Sequence, residues 1–141
     1  MSSFTPEHYK VGDGKLEHRH YVGAVNAPYY ESCASKYLLR WRDKNGVADL
    51  EKAKHFVEYR LEMLVYGAGP LRGSVKNEDL FNYFVRDNEL GDDETDLINR
   101  ILHWLDYSDL RDTYDALCAF IKNMAEEEKI MQPTIRYVNQ G

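Results

Sequence analysis

Lys36-Tyr37-Leu38-Leu39-Arg40-Trp41-Arg42-Asp43-Lys44-Asn45-Gly46-Val47-Ala48-Asp49-Leu50-Glu51-Lys52-Ala53-Lys54 holds the end of one helix, a turn and the start of another. Upstream, Tyr30, Cys33, Ala34, Tyr37, Leu38 and Trp41 recur at helical spacing, and Asn26 and Pro28 mark a start, proline being tolerated in a first turn. Asn45-Gly46 reads as the stop, with glycine as a left-handed terminator. Downstream, Leu50, Ala53, Val57, Leu61 and Leu64 form a second stripe over about 47–66. So short a connection predicts an antiparallel helical hairpin.

The rest of the chain is arranged around that hairpin. Gly67-Ala68-Gly69-Pro70 breaks the pattern, and a short helix from about Val75 to Arg86 carries Leu80, Phe81, Phe84 and Val85. The acidic stretch 87–96 reads as an exposed loop entering a helix N-terminus, where carboxylates suit the dipole. Leu97, Ile98, Ile101, Leu102 and Leu105 mark the fourth helix. Ser108 is the expected cap of a fifth, which Pro133 stops, leaving Thr134 to Val138 as an extended arm. Before the hairpin, Tyr9 to Val11 and Leu16 to Val22 flank Gly12-Asp13-Gly14 like the strands of a β-hairpin. The expected fold is mainly α: a helical hairpin core in a small bundle, with a short N-terminal β-like segment (1–27), a helical domain (28–130) and a C-terminal arm (131–141).

With 141 residues, 43% of them hydrophobic and 30% charged, the chain reads as one globular domain. Cys33 and Cys118 stand far apart with no CxxC pair, which favours a reduced, cytoplasmic setting. The opening MSSFTPEHYK lacks the apolar stretch of a secretory signal, and no apolar run predicts a membrane span. A net charge of −6 argues against long nucleic acid as a partner. The charge is uneven, however: 36–54 is rich in lysine and arginine, whereas 87–96 carries Asp87, Glu89, Asp92, Asp93, Glu94 and Asp96 without a base. A local basic patch on an acidic protein suits a small anion.

Lys36 and Arg40 are one helical turn apart, and Lys44 continues the row. Like charges at that spacing repel by roughly 0.2–0.5 kcal/mol. A bound phosphate relieves the repulsion and accepts bidentate bonds from arginine. Asn45 and Gly46 offer backbone N–H groups at the start of the next helix, a natural anion seat, and Lys52 follows one turn on. The competing reading is a solvated basic face partly neutralised by Asp43 and Asp49.

The ordered run Lys36-Tyr37, Arg40, Lys44-Asn45-Gly46, Asp49-Leu50 and Lys52-Ala53, with Pro6-Glu7-His8-Tyr9 near the start, resembles a family of small bacteriophage proteins described as nucleotide kinases lacking a P-loop. The resemblance spans about residues 6–64. It implies a phage nucleotide-binding protein acting as a nucleoside monophosphate kinase in the host cytoplasm. A nucleoside triphosphate would be the phosphate donor, and the need for magnesium is left open. By that resemblance His8, Tyr9, Lys36, Tyr37, Arg40, Lys44, Asn45, Gly46 and Lys52 would bind the nucleotide. Arg40, Lys44 and Asp49 would carry the catalysis, Asp49 by orienting a basic side chain or holding a cation.

Two other functions compete. Glu51, His55, Glu58 and Glu62 share one side of the second helix, as in metal-dependent all-α nucleotide pyrophosphatases, although the paired Glu-x-x-Glu motif is missing. A non-catalytic protein that sequesters nucleotides or engages a host partner is the other. His8, His18 and His20 are too few and too loosely patterned to name a zinc site, so no metal site is expected. Gly67 to Ser74 lacks the Gly-Lys-Ser/Thr of a phosphate loop and reads as a turn. Tyr30, Tyr37, Trp41, Phe56, Tyr59 and Tyr66 spread beyond one stripe, and the arm carries Ile135, Tyr137 and Val138. Both features predict a homo-oligomer.

Overall fold

The structure is a computed structural model that describes the backbone of residues 15–140 and the side chains of 15–130. Among the described residues six helices follow in order: α1 His18–Ala24, α2 Tyr29–Arg40, α3 Val47–Val65, α4 Glu78–Asp87, α5 Asp92–Leu102 and α6 Tyr107–Gln140. The described residues contain no strand. Helices α2 and α3 form the hairpin; α6 packs on α3, α5 lies against α2 and α6, and α1 bridges α2 and α4. The core between them gathers Leu38, Leu50, Ala53 and Val57 from the hairpin with Phe84, Ile98, Ile101, Leu117 and Trp104.

Three expectations need correction. Leu16 to Val22 is not a strand: from His18 it is helical, because Glu17 and His20 cap α1 reciprocally and buried Tyr21 stacks on Phe84. Tyr9 to Val11 and the Gly12-Asp13-Gly14 turn lie outside the described residues. The cap of α6 is Asp106 rather than Ser108, since the Asp106 carboxylate accepts the Asp109 N–H at 2.9 Å. That helix also passes Pro133 and runs to Gln140 instead of giving way to an extended arm. Proline's fixed φ is itself helical, so a helix can carry it at the loss of one hydrogen bond.

The hairpin turn differs in detail from a simple glycine stop. Helix α2 ends at Arg40, and residues 41–46 make the turn. Gly46 adopts φ 62°, ψ −138°, the mirror image of extended backbone and open only to glycine, and it is the N-cap of α3. Its N–H reaches back to the Trp41 carbonyl at 2.8 Å. Asp49, fully buried in the first turn of α3, accepts from the Asn45 N–H at 3.2 Å and from the Asn45 side-chain amide at 3.3 Å. The Asp49 carboxylate thus folds the turn back on its helix.

Each of two tryptophans shares a glutamate with an arginine. Glu94, buried although it sits in the acidic run, accepts from the Trp41 indole at 3.0 Å and from Arg42 at 2.8 Å. Glu31 accepts from the Trp104 indole at 3.0 Å and from Arg60 Nε at 3.1 Å, with both charged residues only 2% exposed. Arg60 also donates to the Pro70 carbonyl, which ties the turn after α3 to the hairpin.

Candidate functional site

Lys36 and Arg40, one turn apart on α2, do share a face, and the fold gives that face an opposite wall. Helix α1 lies across it, so that Glu17, His18, Arg19 and Val22 line one side of a cleft and Lys36, Leu39 and Arg40 the other, with Asn88 at the end of α4. The cleft encloses about 430 Å³. Three permanent cations border it, with Glu17 as the one carboxylate among its lining residues. Arg19 Nε donates to Glu17 at 2.9 Å. Lys36 is solvent-exposed and ion-pairs with none of the described residues.

His18 Nε2 lies 2.7 Å from the Ser35 hydroxyl, which itself donates to the Ser32 carbonyl. Burial, and then the Lys36 charge, push the His18 imidazole down to about 4. The unfolded chain takes up this proton near pH 6.5, so the stability that His18 contributes is full above that pH and is lost as pH falls from about 6.5 to 4. A bound phosphate opposes the second cause, since its negative charge beside the imidazole outweighs that of Lys36 and favours the protonated ring. Titration of the His18 ring by NMR is expected to give a midpoint near 4 in the free protein and a rise of at least one pH unit with saturating phosphate ligand. An unchanged midpoint would place the anion elsewhere.

Arg40 does more than border the cleft. Its Nε sits 3.4 Å from Asp49 without hydrogen-bond alignment, and its guanidinium lies over the Tyr37 ring at 4.7 Å. Lys52 approaches the same ring at 5.4 Å. Burial works to raise the Asp49 carboxyl, but the Asn45 bonds and the Arg40 charge hold it below the usual carboxylate range. The structure therefore brings Tyr37, Arg40, Asn45, Asp49 and Lys52 together.

It does not leave the expected anion seat at the start of α3 open. The Asn45 N–H goes to Asp49, the Gly46 N–H to Trp41, and the Val47 N–H to Glu128 of α6 at 3.2 Å. Two of the chain's own carboxylates fill the positive end of this helix. Lys44 is exposed in the turn and ion-pairs with none of the described residues. His8 and Tyr9 lie outside the described residues.

Two of the four side chains on the acidic face of α3 are engaged as well. Glu58 accepts from the Tyr114 hydroxyl, and Glu51 pairs with Lys54 at 3.6 Å. Among the described residues no group of three His, Cys, Asp or Glu side chains is gathered as metal ligands. His18 and His20 do not share a strand face: His20 Nδ1 accepts the Glu17 N–H at 3.0 Å while His18 turns to Ser35. No helix among the described residues is long and apolar enough to cross a membrane.

The sequence reading missed Arg19 and His18 as neighbours of Lys36. Their contact depends on α1 being a helix docked on α2, and no spacing along the chain encodes it. Comparison of the chain with protein-family models, curated proteins and solved structures finds no match.

Proposed function

We propose that the protein binds a nucleotide through its phosphates in the cleft between α1 and α2, and that it transfers a phosphoryl group between nucleoside phosphates. The observation that carries the binding reading is the convergence of Arg19, Lys36 and Arg40, from two helices, on one cleft in a protein of net charge −6. Arg19 and Arg40 each face a carboxylate, Glu17 and Asp49, but Lys36 between them faces none, and a phosphate supplies the anion that it lacks while accepting from its two neighbours. Phosphoryl transfer suits such a site because it needs positioning and charge neutralisation more than covalent chemistry. In this reading Lys36, Arg40 and Arg19 hold phosphate oxygens. Lys44 and Lys52 add charge at the margin, and Asp49 acts through Arg40 by fixing its guanidinium.

The test is turnover of labelled nucleoside mono- and triphosphates, with and without magnesium, alongside calorimetric binding of the same compounds. Transfer of the terminal phosphate to a monophosphate is the expected result. Binding without turnover would leave a sequestering protein; release of pyrophosphate would favour the metal-dependent hydrolase. Failure to bind any nucleotide would sink the reading.

Self-association belongs to the same proposal. Tyr29, Tyr30, Tyr37, Phe56 and Tyr59 form a continuous run of ring contacts on the outer face of the hairpin, with Tyr29 72% and Tyr59 47% exposed. An exposed aromatic face of this kind is what a second subunit covers. Light scattering at micromolar concentration is expected to give a multiple of 16.5 kDa, and a clean monomer would contradict it.

A further inference from the structure

Leu39 and Asn88 border two cavities at once. One is the basic cleft, and the other encloses about 250 Å³ where the turn after α2 faces the link from α4 to α5. Arg42 and Asp43 line this second cavity from the turn, and Glu89, Gly91 and Glu94 line it from the link and the first turn of α5. Its charge is the reverse of the cleft's, with three carboxylates against one guanidinium among its lining residues. Glu94 is only 4% exposed, and its Oε2 accepts from the Trp41 indole at 3.0 Å and from Arg42 Nε at 2.8 Å. Its Oε1 is bonded to none of the described residues and stays open to solvent. That oxygen lies beside Gly91, another lining residue, where an added Cβ would come to 3.0 Å from it. A carboxylate oxygen without a donor is uncommon in so buried a residue. Glu89 holds φ 51°, a left-handed conformation that glycine or asparagine takes at lower cost.

Resting on the phosphate reading of the cleft, we propose that this second cavity takes the sugar of the bound nucleotide and selects a ribose with free 2′- and 3′-hydroxyls. Carboxylates repel a phosphate and accept from hydroxyls, so the ligand lies one way round, with its phosphate at Lys36 and Arg40 and its diol at Glu94. The spacing agrees. Lys36 and Leu39 stand three residues apart in α2, about 4.5 Å along a helix axis, so a phosphate held by Lys36 is a short linkage from the shared border. Half-buried Leu39 at that border offers an apolar contact to the carbon face of the sugar. The volume equals about eight waters at ~30 Å³ each, enough for a five-membered ring with its hydroxyls. A ribose diol presents two adjacent donors without charge, and a single carboxylate is a common partner for it. A divalent cation would ask for more, and the described residues gather no group of three such ligands.

The test is calorimetric titration of the full-length protein with inorganic phosphate and with the adenosine, guanosine, cytidine and uridine 5′-monophosphates, each beside its 2′-deoxy and 2′,3′-dideoxy forms. For the bases that bind, the ribonucleotide is expected to be at least tenfold tighter than the dideoxy form, with inorganic phosphate weaker than either. Glu94→Gln weakens the acceptor but also disturbs the Trp41 and Arg42 bonds, so it risks misfolding. Gly91→Ala serves as the second variant: its φ of −72° suits alanine, and the new methyl crowds Oε1 while both bonds to Oε2 remain. It should bring ribo and dideoxy affinities to within about threefold and leave inorganic phosphate binding unchanged. Lys36→Ala should instead weaken every ligand, inorganic phosphate included, and keep the ribose preference. Equal affinity for ribo and dideoxy forms, with phosphate binding intact, would overturn this inference and leave the phosphate reading standing. A ribose preference undiminished in Gly91→Ala would overturn the assignment to this cavity. Binding of neither phosphate nor any nucleotide would overturn both readings together.

Discussion

Glu31→Ala is expected to lower the melting temperature by about 10–20 °C, the largest stability effect of any single substitution considered. The Glu31 carboxylate is the common acceptor for Arg60 and the Trp104 indole, and all three groups are buried. Removing it leaves the Arg60 guanidinium in the core without a counter-charge, held only by the Pro70 carbonyl, and the Trp104 indole N–H without its acceptor. Breaking one side of a buried pair costs about 3–5 kcal/mol, against a total stability of roughly 5–15 kcal/mol for a domain. Each kcal/mol moves the midpoint by a few degrees at this chain length, roughly 2–8 °C over the usual range of domain sizes. The effect should be partly undone by Glu31→Leu combined with Arg60→Met, because an apolar pair removes the orphaned charge together with its partner. Thermal denaturation followed by circular dichroism reads both. A Glu31→Ala protein melting within a few degrees of the parent would mean that the Arg60 guanidinium finds water or another acceptor in solution.

Loss of nucleotide binding in the cleft variants is the second large effect. Arg40→Ala is expected to weaken phosphate binding at least tenfold, since a hydrogen bond to a charged group is worth about 1.5–3 kcal/mol. Arg40 also neutralises buried Asp49, so its loss should lower the melting temperature as well, modestly, because Asp49 keeps both bonds from Asn45. Lys36→Ala separates the two effects. Lys36 holds no structural partner among the described residues, so its removal should weaken the ligand about tenfold and leave melting unchanged. Both losses should shrink as salt rises, because exposed cations are screened within a Debye length of about 8 Å at 0.15 M. Calorimetric titration of nucleotide at two salt concentrations measures this. Parent-like affinity in both variants would show that the cleft is only a solvated basic wall.

The sequence by itself determined the helical hairpin and most of the helices around it. Leu50, Ala53, Val57 and Leu61 recur with the helical period and are the buried side of α3, and Leu97, Ile98, Ile101 and Leu102 do the same for α5. Such stripes are local, so spacing alone exposes them. On α2 only part of the apolar stripe is the buried face. Ala34, Leu38 and Trp41 of the expected stripe are buried, but Tyr30, Cys33 and Tyr37 are only half-buried, and Glu31 and Ser35 take their place on the core face. A glutamate and a serine can occupy the core face only because Arg60, Trp104 and His18 arrive from elsewhere in the chain to bond with them. Residue types along one helix do not announce partners 17, 29 and 73 positions away.

The candidate site divides the same way. Lys36 and Arg40 were legible as a charged row because four-residue spacing places them on one helix face. What that face looks onto was decided only in three dimensions. Docking of α1, seven residues long and too short to be a stable helix alone, turned a row of charges into a cleft with Arg19 and His18 opposite. Tertiary packing likewise closed the anion seat at the start of α3, where Glu128 comes from 81 residues away to take the Val47 N–H. Local periodicity fixes which way a side chain leaves its helix, and only the packing of helices against one another decides what it meets there.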